Sequence, residues 1–206
     1  MTFPNQLTLL RIILTPLIVY TLTIESLKFR YAAFALFLLA SLTDWYDGYI
    51  ARRFNSVSNW GEFLDPLADK ILVLSTFTAF FMIGEIQLWV VLIIAGRDLF
   101  ITSLRVFAMQ TNRPIKTSTF AKWKTAAQMG SIYFILIWLI LQQVNAAEAS
   151  GSLFWSLDAM NLVEKVMYIV VFVTALTWMH YLRENWQQLK GFAAAISRIF
   201  LPTSLS

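Results

Sequence analysis

Long apolar runs constrain this chain more than any other feature. Segments 7–24, 31–46, 69–84, 88–108, 126–142 and 163–182 approach or reach the length that crosses a hydrocarbon layer, about 20 mostly apolar residues. Six such helices use about 120 residues, so a chain of 206 keeps only short connections. With 58% hydrophobic and 14% charged residues it lies far from soluble domains, which carry about 25% charge. Disorder is excluded by hydrophobicity, and a disulfide scaffold or Cys-ligated zinc site by the absence of Cys. His180 is the lone histidine, which argues against a multi-His metal centre or a Ser-His-Asp triad. The expected fold is an all-α integral membrane protein, a six-transmembrane-helix bundle forming one domain over 1–206. Residues 191–206 are expected as a short amphipathic tail on the membrane surface. Residues 1–24 lack a basic start and a small-residue cleavage pattern, so they are read as a span rather than a signal peptide.

Lys and Arg in the connections orient the bundle. With the N-terminus inside, the inner segments hold Arg52, Arg53, Arg113, Lys116, Lys122, Lys124, Arg183, Lys190 and Arg198, against Lys28 and Arg30 outside. Both termini and the expected loops at 45–64 and 109–125 then face the cytoplasm. The net charge of +4 calls for no nucleic acid; a basic inner face against anionic lipid accounts for it. Most of the 8 Trp and 7 Tyr are read as interface or packing residues, and His180, Glu164 and Lys165 as interfacial.

Charges inside apolar spans cost about 2.5–3.5 kcal/mol each on insertion scales, so they mark places where polarity is needed. They gather at 44–69 and 97–105. The first group reads Asp44, Asp47, Gly48, Ala51, Arg52, then Gly61, Asp65 and Asp69. Asp44 and Asp47 are three apart, and Asp65 and Asp69 four apart, so each pair can share one helical face. The stretch 48–64 is long enough to return one helix end beside the other. Four converging carboxylates repel in a low dielectric, and hard divalent cations, Mg²⁺ or Mn²⁺, suit an all-oxygen donor set. Gly48, Ala51 and Gly61 leave room for a bulky ligand beside the carboxylates, and Arg52 is placed for a phosphate oxygen. Metal, small residues and arginine together describe a phosphoanhydride site. The plainer reading is that these are polar helix ends, with Asp65 capping a helix that starts at Pro66; it leaves the joint spacing of eight residues unexplained.

That string resembles, position by position, the D-x2-D-G-x2-A-R-x8-G-x3-D-x3-D signature of the CDP-alcohol phosphatidyltransferase family. The resemblance implies six membrane helices, a homodimer, and transfer of a lipid phosphatidyl group from a CDP-linked donor to an alcohol with release of CMP. It implies that Asp44, Asp47, Asp65 and Asp69 hold two divalent ions, with Asp69 also the base for the acceptor hydroxyl. By the same resemblance Gly48, Ala51, Arg52 and Gly61 contact the CMP portion, and Ser58 adds a hydroxyl to the pyrophosphate. The opening Asn5-Gln-Leu-Thr8-Leu-Leu-Arg11 is similar to the family's first element, which brings Asn5 and Thr8 toward the nucleotide. Phe63–Leu72, Gly96–Arg105 and Lys116–Gln128 resemble the bacterial members that make phosphatidylglycerophosphate, which implies CDP-diacylglycerol as donor and a bacterial inner membrane with the site facing the cytoplasm. Gly96-Arg97-Asp98 departs from those members, which more often carry Arg-Glu there.

The second charge group offers an acceptor site. Arg97 and Arg105 lie in the fourth span, with Arg113, Lys116, Lys122 and Lys124 in the following basic segment. Arg97, Arg105, Lys116 and Lys124 suit multipoint contact with a phosphate dianion, which favours glycerol 3-phosphate over inositol, serine or choline. The plainer reading here is an Asp98–Arg105 pair within one helix and a positive-inside loop. Within the family, phosphatidylinositol phosphate, phosphatidylserine and cardiolipin synthases share the aspartates and differ in the acceptor region. Intramembrane prenyltransferases use Asp-rich motifs with Mg²⁺ but lack the Asp-Gly-x-x-Ala-Arg string. A cation channel with an acidic ring leaves Gly48, Ala51 and Arg52 without a purpose.

Overall fold

Seven helices and no strand make up the described residues of the chain. The computed structural model describes residues 3–54, 59–111, 120–148 and 161–200, with side chains over 6–44, 46, 68–108, 111, 123–145 and 161–194. The helices are α1 (Phe3–Thr23), α2 (Leu27–Phe54), α3 (Asn59–Met82), α4 (Leu88–Gln110), α5 (Phe120–Glu148), α6 (Leu162–Glu184) and α7 (Trp186–Phe200). Three contain stretches long and apolar enough to cross a membrane: Gln6–Thr23, Trp123–Asn145 and Leu162–Glu184. Helices α2, α3 and α4 have comparable length, 28, 24 and 23 residues, but they carry the charged groups at 44–69 and 97–105.

One core draws on α1 through α6: Ile18 and Leu22, Phe37, Phe77 and Phe80, Ile94, Ile135, and Met167. In α6 the buried positions Val163, Met167, Val170, Thr174, Thr177 and Tyr181 recur at helical spacing, while Ile169 and Phe172 face outward. Apolar side chains on both faces are what a helix between protein and lipid requires. Two hydroxyls inside the bundle are satisfied by their own helices: Thr15 Oγ1 donates to the Arg11 carbonyl and Thr76 Oγ1 to that of Leu72, at 2.9 and 2.8 Å.

A short connection at 24–26 folds α2 back on α1. Helix α1 packs on both α2 and α3, and α5 packs on α6. The Arg30 guanidinium donates to the Leu22 carbonyl at 2.7 Å, closing the C-terminal end of α1 from the start of α2. Helix α3 ends in a Schellman motif. Gly84 takes φ +82°, its N–H reaches the Phe81 carbonyl, and the Glu85 N–H reaches that of Phe80. Asn185, fully buried, ends α6 by donating from both its backbone N–H and Nδ2 to the Tyr181 carbonyl.

Helical structure extends further into the charged segments than hydropathy suggests. The expected loop at 45–64 is helix up to Phe54 and again from Asn59, and α5 begins at Phe120, inside the expected loop at 109–125. Charge ends an apolar run, yet Arg, Lys and Glu are good helix formers, so the helices continue. Asp65 accordingly lies inside α3 and does not cap it. The C-terminal helix starts at Trp186, ahead of the expected tail at 191, and Phe192 packs edge-on against Phe100 and Phe107 of α4 at 6.2 and 5.3 Å.

Candidate active site

Two charged groups lie away from the turn at Gly84. The first joins α1 to α2. Arg11, with 0% exposure, reaches Asp44 through Nη1 at 2.8 Å, and Asp44 keeps 42% of its side chain exposed. Thr8, one turn before Arg11, is also buried. A carboxylate oxygen can accept more than one partner, and the exposed part of Asp44 is within reach of a ligand from outside. That is the condition a hard cation needs. Asp69 is half-buried on α3, which packs against α1 as α2 does.

The other predicted members of this group lie partly or wholly outside the described residues. Asp47, Gly48, Ala51 and Arg52 fall within α2, Gly61 and Asp65 within α3, and Asn5 within α1, with their side chains outside the described set. Ser58 and Lys116 lie outside the described residues altogether. Among the described residues no three of His, Cys, Asp and Glu form a metal-sized cluster. The donors that are described, Asp44 and Asp69, offer oxygen only, as Mg²⁺ or Mn²⁺ prefers.

The second group is built where α3, α4 and α5 meet. Asp98, only 3% exposed, accepts from Lys124 Nζ at 2.5 Å and Arg97 Nη1 at 3.1 Å, with Lys70 Nζ at 3.5 Å. Arg97 and Lys124 are therefore brought together, as the sequence suggests, but through a carboxylate. Asp98 pairs across helices, where the plainer sequence reading gave it Arg105 on its own helix. Arg105 is exposed and stands apart from these pairings. Lys124, expected in a loop, is buried on the first turns of α5.

Three residues escaped the sequence reading as site members. Arg11 had a visible signal, a charge within the first apolar run. Asp98 has one too, but its partners Lys70 and Lys124 lie on other helices, and Lys70 directly follows Asp69. At the Gly84 end a separate cavity of about 260 Å³ is lined by Gly84, Gln87, Trp138, Glu164 and Tyr168. There Gln87 Nε2 donates to Glu164 at 3.2 Å, and the Tyr168 hydroxyl donates to the same carboxylate.

An acidic group partly open to ligands beside a cationic group suits a substrate bearing phosphates next to metal ions. The comparisons with known proteins agree. Residues 1–176 match the family described as CDP-alcohol phosphatidyltransferase. The chain is 31% identical over 199 residues to the CDP-diacylglycerol–glycerol-3-phosphate 3-phosphatidyltransferase of Bacillus subtilis, covering 91% of this chain and 96% of the relative. It is 36% identical over 180 residues to the protein of the same name from Rickettsia bellii, covering 87% and 93%. The namesake from Pseudomonas fluorescens is 30% identical over 203 residues, covering 92% and 93%. With a family match across most of its length and the aspartate signature complete, the chain belongs to the CDP-alcohol phosphatidyltransferase family.

Proposed function

We propose that this protein transfers the phosphatidyl group of CDP-diacylglycerol to glycerol 3-phosphate, giving phosphatidylglycerophosphate and CMP. The observation that carries the reading is similarity over about nine-tenths of the chain to relatives that bear the name of this reaction. The buried cations Arg97 and Lys124 support a phosphorylated acceptor. The protein is a multi-pass inner-membrane enzyme with six spans, α1 to α6, its site facing the cytoplasm, and it works as a homodimer.

Asp44, Asp47, Asp65 and Asp69 hold two divalent cations, Mg²⁺ or Mn²⁺. When bound, those ions supply positive charge against the pyrophosphate and the departing CMP. Asn5, Thr8, Gly48, Ala51, Arg52, Ser58 and Gly61 receive the cytidine diphosphate head while the acyl chains stay in lipid. Arg97, Arg105, Lys116 and Lys124 form the acceptor-phosphate set, and hold the glycerol hydroxyl near the lipid-side phosphorus. Asp69 takes that hydroxyl's proton as its oxygen bonds to phosphorus and the bond from phosphorus to CMP breaks.

The test is CMP release from CDP-diacylglycerol by purified protein with Mg²⁺ or Mn²⁺. Glycerol 3-phosphate is compared with inositol 1-phosphate, serine and phosphatidylglycerol. Release that requires glycerol 3-phosphate is the expected result, and release with another acceptor alone replaces the substrate while keeping the family chemistry. An Asp69→Asn protein that binds CDP-lipid and turns over normally would remove Asp69 from the role of base.

A further inference from the structure

The charges around Asp98 do not balance. Among the described residues Lys70, Arg97 and Lys124 carry +3 and Asp98 carries −1, which leaves +2 (3 − 1) at a meeting of three helices. Arg97, Asp98 and Lys124 are each more than nine-tenths buried. Withdrawing an excess of this size from water is unfavourable unless an anion joins it. Two more donors wait in the same neighbourhood. Arg97 Nε and Gln128 Nε2 are buried and have no acceptor among the described residues. Gln128 lies four residues after Lys124, on the same face of α5.

A phosphate dianion closes this deficit: about −2 of charge and three acceptor oxygens against +2 and two idle donors. Asp98 already uses both of its oxygens, Oδ1 toward Arg97 and Oδ2 toward Lys124 and Lys70. It therefore arranges the cations rather than meeting the anion. Without it, three like charges would splay apart. Lys70 is the link of interest, because it follows Asp69 directly in α3.

We infer that Asp98 is a positioning residue that gathers Lys70, Arg97 and Lys124 into one set for the acceptor's phosphate, and that Lys70 belongs to that set. The inference rests on the proposed transfer to glycerol 3-phosphate and deepens it. It ties the acceptor's phosphate to the helix that carries Asp65 and Asp69, so the hydroxyl and its base share one frame. A purely structural Asp98 would instead act only as a clamp between α4 and α5.

The experiment compares the full-length wild-type protein with Asp98→Asn, Asp98→Glu and Lys70→Gln. It reads KM for each substrate and the rise in Tm that glycerol 3-phosphate produces without CDP-lipid. Asp98→Asn should raise KM for glycerol 3-phosphate about tenfold or more, the usual size of a lost charge-assisted contact, and abolish the Tm rise. KM for CDP-diacylglycerol should stay within about twofold, and Asp98→Glu should recover most of the loss by restoring the charge. A folded Asp98→Asn protein with unchanged KM for glycerol 3-phosphate, or with both KM values raised alike, overturns the inference. If Asp98→Asn does not fold, Lys70→Gln, at a side chain 21% exposed, is read the same way, and an unchanged KM is decisive against it. A wild-type protein that ignores glycerol 3-phosphate ends the proposed transfer and this inference with it. An active wild type beside an unshifted variant ends the inference alone.

Discussion

The two charged groups of this bundle differ in how their charges are matched. Around Asp44 a buried arginine meets a partly exposed carboxylate, in a segment whose sequence also holds Asp47, Asp65 and Asp69. Around Asp98 a single buried carboxylate meets three cations. Under the proposed function Asp47, Asp65 and Asp69 join the first group and leave it short of positive charge, as the second is short of negative charge. In that reading the acidic group takes cations and the basic one an anion. Helix α3 carries both Asp69 and Lys70, so one substrate complex would satisfy both. The Gly84 end offers the contrast. Its helix ends are closed by backbone bonds and the Arg30 contact.

Breaking the acidic side should have the largest effect. Asp65→Asn is expected to lower CMP release by at least about a hundredfold, since even indirect partners of metal ligands are worth 10–100-fold. Addition of a chelator should abolish release in the wild type, and Mg²⁺ or Mn²⁺ should restore it. Normal release from the folded variant would remove the sign contrast altogether. Next comes the basic side. Lys124→Met should raise KM for glycerol 3-phosphate about tenfold or more, and initial rates at fixed CDP-diacylglycerol measure it.

Smaller effects separate function from scaffold. Arg11→Met breaks a buried pair whose partner stays half in water, so we expect a loss of about 1–3 kcal/mol, measured as a lower Tm in detergent. Gly84→Ala is the mildest. A Cβ there meets no atom within 4 Å, but φ +82° is unfavourable for an L-residue, and the loss should be about 1 kcal/mol. Its CMP release should equal that of the wild type, which would mark the Gly84 end as structural.

The apolar runs at 88–108 and 163–182 coincide closely with α4 and α6, because a lipid-facing helix advertises itself in composition. The segment after Asp44 did not, because hydropathy registers where apolarity stops and a site helix runs on through its charges to Phe54. Side-chain partners were harder still. Asp98 lies near Arg105 in sequence, yet it chose Lys124, 26 residues away. Spacing along one helix reports only neighbours on that helix, and a buried carboxylate takes whichever cation the packing delivers. Arg11 was visible as a charge out of place in the first span, but its partner on α2 was not. The aspartate signature itself was fully legible, since its meaning lies in residue types at fixed intervals.

The docking of α7 also makes it dependent on the placement of two other helices. Phe192 rests on Phe100 and Phe107, and Phe100 rests in turn on Trp178 of α6. The surface that receives this helix is shared by α4 and α6. Its seat exists only where those two stand side by side, so a change that parts them also releases α7.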